Sequence, residues 1–331
     1  MKKFLIIILA LSAITFETKG QLFPVLGGQR AGISAAQFLK IGVGGRAAAL
    51  GESFIAMADD ASSLYWNPAG LVQFNEDQII FSHNSWLVDI NHDFLGAVYH
   101  LTAEDAIGVA LTSLSMQKMP VTTEFAPFGT GEYFSYGDIA IAFTYSKKMT
   151  DQFSFGGTVR YMEETLDKLK MRGFMIDLGT YYWTGLGTSR FAVAVTNFGN
   201  QLAPDGEVVL VGKRTKSEWQ SFSPPTLFRI GFAFEPYQTD QHRITTSLQL
   251  NHPNDNSENF AIGTEYEFKE YTFNSSFFLR GGYKFNVEEQ NYSFGAGVKV
   301  TMLFTTLTFD YAYANFTKLG EAHRLSLILG I

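Results

Sequence analysis

The residue types that do covalent or metal chemistry are few in this chain, and none is spaced to do it. His83, His92, His100, His242, His252 and His323 are scattered, and no two stand four apart as a helical metal pair would. Cysteine is absent, which excludes disulfides, thiolate metal sites, cysteine nucleophiles and an N-terminal lipidated cysteine. Gly42-Val43-Gly44-Gly45-Arg46 has the look of a phosphate loop. It lacks the closing Lys-Ser/Thr and the glycine spacing of one, so it reads as a flexible linker. Glu163-Glu164 reads as a solvated pair at a strand end, and no Gly-x-Ser-x-Gly elbow occurs. The expectation is a protein that is not an enzyme and carries no metal or cofactor.

The charges that stand out do so by position. Asp138, Arg160, Asp177, Arg229, Glu235, Arg243, Glu265, Glu267, Lys299 and Asp310 lie in segments where every second residue is apolar. Each shares its parity with Gly, Ala, Ser and Thr. Phe228, Ile230, Phe232 and Phe234 alternate with Arg229, Gly231, Ala233 and Glu235; Leu307, Phe309, Tyr311 and Tyr313 alternate with Thr308, Asp310 and Ala312. On a strand, successive side chains point to opposite faces. Charges of both signs on a concealed face would be costly in a dry core. In a barrel lumen they can pair or stay hydrated. Arg160, Arg229, Arg243 and Lys299 are therefore expected to face a lumen and meet Asp138, Asp177, Glu265, Glu267 or Asp310.

The elements that must position them are strands. Fourteen alternating segments run from Gln78 to the end of the chain, near 78–87, 92–102, 106–118, 134–148, 152–163, 171–184, 190–198, 226–237, 241–251, 259–268, 271–285, 291–302, 304–315 and 322–331. The connections after even-numbered segments are tight. The long ones, Met119–Tyr133 and Gly199–Pro225, both follow odd-numbered segments. Outer-membrane barrels have short periplasmic turns and longer external loops, whereas a sandwich has no reason to obey this alternation. The predicted fold class is thus all-β, a fourteen-stranded antiparallel transmembrane β-barrel over residues 78–331, in the bacterial outer membrane with its long loops extracellular. Tyr182, Trp183, Tyr237, Phe268 and Phe316 would supply its interfacial aromatic girdles.

Composition agrees with strands facing lipid. Charged residues make up 17% of the chain and aromatics 15%, with 31 Phe, 15 Tyr and 31 Gly among 331 residues; globular domains usually carry about a quarter charged residues. The net charge of −7 argues against a nucleic-acid partner. Residues 1–20 read as a signal peptide, with Lys2 and Lys3 before the apolar run Phe4–Phe16 and Thr18-Lys19-Gly20 before the cleavage point. Residues 21–77 read as a small helical plug reached from the periplasmic side. Their helix-like spacing covers Ala47–Met57 and a second short helix covers Ala61–Trp66, followed by a turn through Asn67, Pro68, Ala69 and Gly70.

One loop carries a partner signal. Between Gly199 and Pro225 stand Val208, Val209, Leu210 and Val211, then Trp219 and Phe222. Consecutive apolar residues on an external loop call for something to cover them: the barrel's own rim, a partner protein or a captured hydrophobic ligand. Lys213, Arg214 and Lys216 beside them would suit an acidic partner or lipid headgroups.

The stretch Ala36-Gln37-Phe38-Leu39-Lys40-Ile41-Gly42-Val43-Gly44-Gly45-Arg46-Ala47-Ala48-Ala49-Leu50-Gly51-Glu52, followed by Ala58-Asp59-Asp60-Ala61-Ser62-Ser63-Leu64-Tyr65-Trp66-Asn67-Pro68-Ala69-Gly70-Leu71, resembles the N-terminal signature of the PorV/PorQ family of type IX secretion. Its Trp66-Asn67-Pro68-Ala69-Gly70-Leu71 part is also similar to the hatch of FadL-type fatty-acid channels, which share a fourteen-stranded barrel. The resemblance implies an adaptor barrel in the outer-membrane lipid that binds type IX translocon subunits or secreted cargo. The alternative it implies is a passive channel for hydrophobic small molecules.

Overall fold

The computed structural model describes residues 32–209, 215–216 and 218–331. The segment read as a signal peptide and the first part of the plug lie outside these residues, as do Leu210 and Val211.

Fourteen long strands form one closed sheet: β1 (Gln78–Ser85), β2 (Asn91–His100), β3 (Asp105–Ser115), β4 (Tyr136–Lys148), β5 (Phe153–Leu166), β6 (Leu169–Trp183), β7 (Arg190–Gly199), β8 (Leu227–Gln238), β9 (His242–Pro253), β10 (Asn259–Glu270), β11 (Ser275–Phe285), β12 (Tyr292–Thr301), β13 (Thr306–Asn315) and β14 (Glu321–Gly330). Each pairs antiparallel with its neighbours in sequence. The ring closes where β1 pairs with β14, from Gln78 opposite Gly330 to Ser85 opposite His323. Closure removes every free edge, the condition for a sheet to sit in hydrocarbon.

Burial alternates along the strands, in the reversed sense. Ile79, Phe81, Leu95, Val109, Ile141, Phe143, Phe309, Leu325 and Leu327 are exposed on the outer wall. Ala110, Thr112, Ala140, Thr144, Thr158, Ser247, Ala261 and Ser326 are buried on the inner one. Away from a bulge, adjacent residues therefore take opposite faces. Tyr182 and Tyr237 are exposed as a girdle requires, but Trp183 turns inward, where its Nε1 donates to Gln73 Oε1 at 2.9 Å. Phe316 is likewise buried, edge-on to Trp86.

The connections differ between the two ends. After even-numbered strands they are short. At the other end stand a hairpin between β3 and β4, in which Met119–Pro120 pairs with Tyr133–Phe134, and the excursion between β7 and β8. The β5–β6 turn, at that same end, is only Asp167 and Lys168, tighter than its sequence suggests. Asp167 takes a positive φ of 54°, which closes a two-residue hairpin between the longest strands of the barrel.

The plug threads the lumen from end to end. Its first described residues meet the long-loop end, where Ala35 N donates to Ser223 O at 3.0 Å. Its close is at the tight-turn end, where Asp77 accepts from His100 N at 2.8 Å before β1 begins. Helix is scarcer here than its spacing suggests. One α-turn covers Gly45–Ala49 and another Ser63–Trp66, with 3-10 turns at Gln37–Lys40 and Pro68–Val72. The first helix cannot reach Met57 because Gly51 and Glu52 both adopt positive φ, 65° and 61°. Its apolar residues are buried because the barrel surrounds them on all sides, not because they form one helical stripe.

Candidate functional site

The lumen is the candidate site, and the plug motif sits at its centre. Trp66, Asn67, Pro68, Ala69 and Gly70 are all buried. Asn67 organises them. Its side chain accepts from Ala69 N at 3.1 Å, capping the Pro68–Val72 turn, and its amide donates to Ile55 O at 3.0 Å and to Thr180 O of β6 at 3.1 Å. Trp66 Nε1 donates to Val43 O at 3.0 Å, tying this turn to the glycine stretch. Gly156 and Gly179 on the wall face Pro68 and Asn67 so closely that any side chain would strike the plug backbone or the Asn67 amide. Wall hydroxyls and amides bind the plug backbone elsewhere: Ser326 to Gly45 N, Ser293 to Gly51 N, and Gln249 to both Phe54 N and Ile55 N.

Buried charges join plug to wall in a chain. Arg46 contacts Asp60 at 2.9 Å, Asp59, and Glu265 of β10 at 2.9 Å. Glu265 meets Arg280 at 2.6 Å, and Arg280 meets Asp310 at 2.6 Å. Nearer the long-loop end, Glu52 is shared by Lys284 at 2.6 Å and Arg324 at 3.2 Å. Glu52 belongs to the plug, outside the spanning strands. Burial pushes its carboxyl up, but the two cations outweigh that and hold it at about 2.

Some of the charges singled out by parity pair as expected and some do not. Arg160 and Asp177 pair at 2.7 Å and are buried. They lie at a β-bulge, where Thr196 and Asn197 together oppose Asp177, and Asn197 takes φ 58°. Asp177 accepts from Asn197 N at 2.6 Å, and Arg160 donates to the Asn197 side chain, so the trio fixes the bulge. Arg243 pairs with Glu267 at 2.8 Å, and Glu235 with Arg190 at 2.7 Å. Lys299 departs from the expectation of an acidic partner: it lines a cavity of about 150 Å³ with Arg46, Asp60, Glu267 and Asp310 but makes no ion pair among the described residues. Asp138 accepts from the Tyr136 hydroxyl at 2.6 Å and has no cationic partner among the described residues. Arg229 departs from that expectation too. It stacks over the rings of Trp66 and Tyr65 at 5.2 and 5.9 Å and donates to Thr196 Oγ1 at 3.5 Å.

Arg46, Glu52, Arg190, Arg280, Lys284 and Arg324 escaped the sequence reading. For Arg280 and Lys284 the signal was available, since they share the inward parity of Phe278 and Gly282 on β11. For Arg46 it was not, because its partners lie across the lumen.

Of the residues read as a docking loop, Val208 and Val209 pair with Lys216 and Thr215 in a short hairpin. Trp219 is half-buried, its Nε1 donating to Gly206 O at 3.0 Å with Lys216 over its ring. Phe222 exchanges backbone hydrogen bonds with Leu202 and packs on a cluster with Phe38 and Leu39 of the plug. Part of this loop thus folds onto the rim. Among the described residues, the most exposed apolar side chains at that end are Phe125 and Phe128 of the β3–β4 loop, 97% and 99% exposed.

No curated protein matches the chain. Solved structures with the same fold include the Ralstonia pickettii toluene transporter TbuX, 13% identical over 87% of this chain and 97% of that one, with a TM-score of 0.58. The CymD monoaromatic hydrocarbon channel is 12% identical over 88% and 97%, with a TM-score of 0.59. The Pseudomonas putida toluene transporter TodX is 10% identical over 81% and 92%, with a TM-score of 0.53. At such identities the likeness is one of fold: a closed fourteen-stranded barrel of the FadL type. The profile described as "Type IX secretion system protein PorV" matches residues 27–253. Fold and family together make this an outer-membrane β-barrel. With well over half its length matched, the chain belongs to the PorV family of type IX secretion system proteins.

Proposed function

We propose that this barrel works as a protein-binding adaptor of the type IX secretion machinery, holding translocon subunits or secreted cargo at its long-loop end, which faces outward from the cell. The family match supports a role in this pathway. The observation that carries the adaptor reading is the filled lumen. Trp66, Asn67 and the Arg46–Glu265–Arg280–Asp310 chain occupy the middle of the barrel. Solute transfer would have to displace them, whereas docking on external loops would not. The docking surface would comprise Val208, Val209, Leu210, Val211, Trp219 and Phe222 with the Met119–Tyr133 loop. This role needs no catalytic step.

The second reading is a passive channel for hydrophobic small molecules, favoured by a cavity of about 490 Å³ above the plug and by the fold of the neighbours. Purification from the native outer membrane in mild detergent, followed by mass spectrometry, separates the two. Translocon or cargo proteins retained through a salt wash are the expected result. Apolar small molecules retained with no protein partner would replace the adaptor by the channel.

A further inference from the structure

Where the barrel closes, the inner wall carries a row of polar side chains that the protein itself does not satisfy. Asn84 of β1 stands opposite Arg324 of β14 on one side and opposite His92 of β2 on the other. All three point inward, and each is 1% exposed. Arg324 donates from Nη1 to Glu52 of the plug at 3.2 Å, but its Nε and Nη2 meet no acceptor among the described residues. Both polar atoms of the Asn84 amide and Nε2 of His92 are likewise without a partner there. Five unmatched polar atoms thus lie in three adjacent side chains. Buried polar groups are nearly always satisfied by protein, water or a bound species, because leaving them bare is costly.

The unmatched set has a sign. Nε and Nη2 of Arg324 and the amide nitrogen of Asn84 can only donate, and Nε2 of His92 donates in one of its two neutral tautomers. Glu52, the acid that meets Arg324, is shared with Lys284 at 2.6 Å, so two cations divide one carboxylate. Asp93, next to His92 in sequence, faces the other way and meets His83 at 2.7 Å. The row ends in buried apolar side chains, Leu114 of β3 beside His92 and Ala312 of β13 beside Arg324. A positive excess in so apolar a setting attracts a counter-ion far more strongly than it would in water.

Spacing limits what can sit there. Residues directly opposite each other on antiparallel strands have Cβ atoms about 5 Å apart, which suits a single ion between their polar ends and not a phosphate. Access comes from the long-loop end. The ring of Trp86 lies 5.5 Å from the Arg324 guanidinium, and Trp86, Glu52 and Leu114 all line the cavity of about 490 Å³ above the plug.

We propose that Arg324, Asn84 and His92 hold a small monovalent anion of the size of chloride, which pins the β1–β14 seam and, through Arg324, the Glu52 turn of the plug. A bridging water would satisfy some of the same atoms but would leave the charge. The site goes beyond the adaptor reading and does not depend on which protein docks on the loops.

The test uses the full-length protein in a non-ionic detergent. Its thermal unfolding midpoint is followed as chloride replaces gluconate at constant ionic strength. A saturable rise is expected, roughly 2–4 °C at about tenfold excess over the dissociation constant. Bromide should substitute for chloride, and crystals of the native protein grown in bromide should show an anomalous peak between Arg324 and Asn84. Asn84→Asp fixes a carboxylate opposite Arg324, so it should abolish the chloride response and make the barrel as stable without chloride as the native protein is with it. Lys40→Gln, which changes a cation of the same cavity already paired to Asp255 at 2.8 Å, should leave the response intact. Heat-modifiable migration on gels verifies that each variant barrel is folded. A midpoint indifferent to chloride, an undiminished chloride response in folded Asn84→Asp, or ordered water in place of bromide at the row would overturn the proposal.

Discussion

Arg46 of the plug and Glu265 of the wall are joined by two parallel hydrogen bonds, Nε to Oε2 at 2.9 Å and Nη2 to Oε1 at 3.1 Å. The two residues are 219 apart in sequence, so this fork bolts the first helical turn of the plug to the middle of the barrel. The geometry is the bidentate one that guanidinium and carboxylate favour. Glu265 is 1% exposed, and its second partner, Arg280, lies on the next strand.

Removing Arg46 should loosen the plug. Arg46→Ala leaves Asp59, Asp60 and part of Glu265 without their cation. Breaking one side of a buried pair typically costs about 3 kcal/mol. The variant should unfold at lower denaturant and conduct ions in a planar bilayer, where the native protein should be closed. Arg46→Met combined with Glu265→Gln should recover part of the stability, because it removes both buried charges together. A native-like, non-conducting Arg46→Ala barrel would mean that the fork does not hold the plug.

Asn67 should prove the least replaceable residue of the Trp66–Gly70 turn. Asn67→Ala removes one cap and strands two carbonyls, Ile55 O and Thr180 O, away from water. Each buried group left unpaired costs about 1–3 kcal/mol. Asn67→Asp, which keeps the cap but cannot donate to the carbonyls, should be nearly as harmful. Thermal unfolding of the purified barrel measures both. An Asn67→Asp variant as stable as the native protein would show that the carbonyl contacts contribute nothing.

The barrel was legible because its two faces differ in chemistry at every step. Phe143 and Thr144, or Phe309 and Asp310, face lipid and lumen in turn, and the same parity assigns Arg160 to Asp177 across neighbouring strands. The plug was less legible. Its helix-like spacing over Ala47–Met57 reflects burial on all sides, and chain reversals at Gly51 and Glu52 cut the helix short. Pairings between plug and wall, such as Glu52 with Lys284 and Arg324, depend on which part of a threaded segment lies at which depth. Local periodicity does not encode depth. Arg229 shows the same limit, since its inward parity was readable but its neighbours were not.

Acid should act on the plug late. Glu52 titrates near 2, against 4.5 for an ordinary glutamate. A carboxyl with a depressed folded-state value contributes stability above its unfolded value and loses it as pH falls through the folded one. The Glu52 contribution is therefore intact at neutral pH, erodes below 4.5 and is gone below about 2. Stability of the native barrel should fall across that window, and Glu52→Gln should remove this part of the acid dependence. An identical acid profile in the variant would place the sensitivity elsewhere.

The last prediction concerns the loops. Phe125 and Phe128 stand fully in the open at the tip of the β3–β4 loop. That loop rises from the same end as the hairpin in which Val208–Val209 pairs with Thr215–Lys216. Two bare phenyl rings on a loop tip add nothing to the barrel's own core, so their replacement should leave folding untouched. If these loops dock a partner, the rings gain on binding what they now lack, about 2 kcal/mol each on full burial. Phe125→Ser with Phe128→Ser should then reduce co-purifying partner by an order of magnitude or more. Val209→Ser with Leu210→Ser should have a smaller effect in the same direction, because Val208–Val209 is already engaged in its own hairpin. Barrel assembly and heat-modifiable migration should stay native in both variants. Undiminished partner recovery from the Phe125 and Phe128 variant would move the docking surface away from the loops and onto the outer wall.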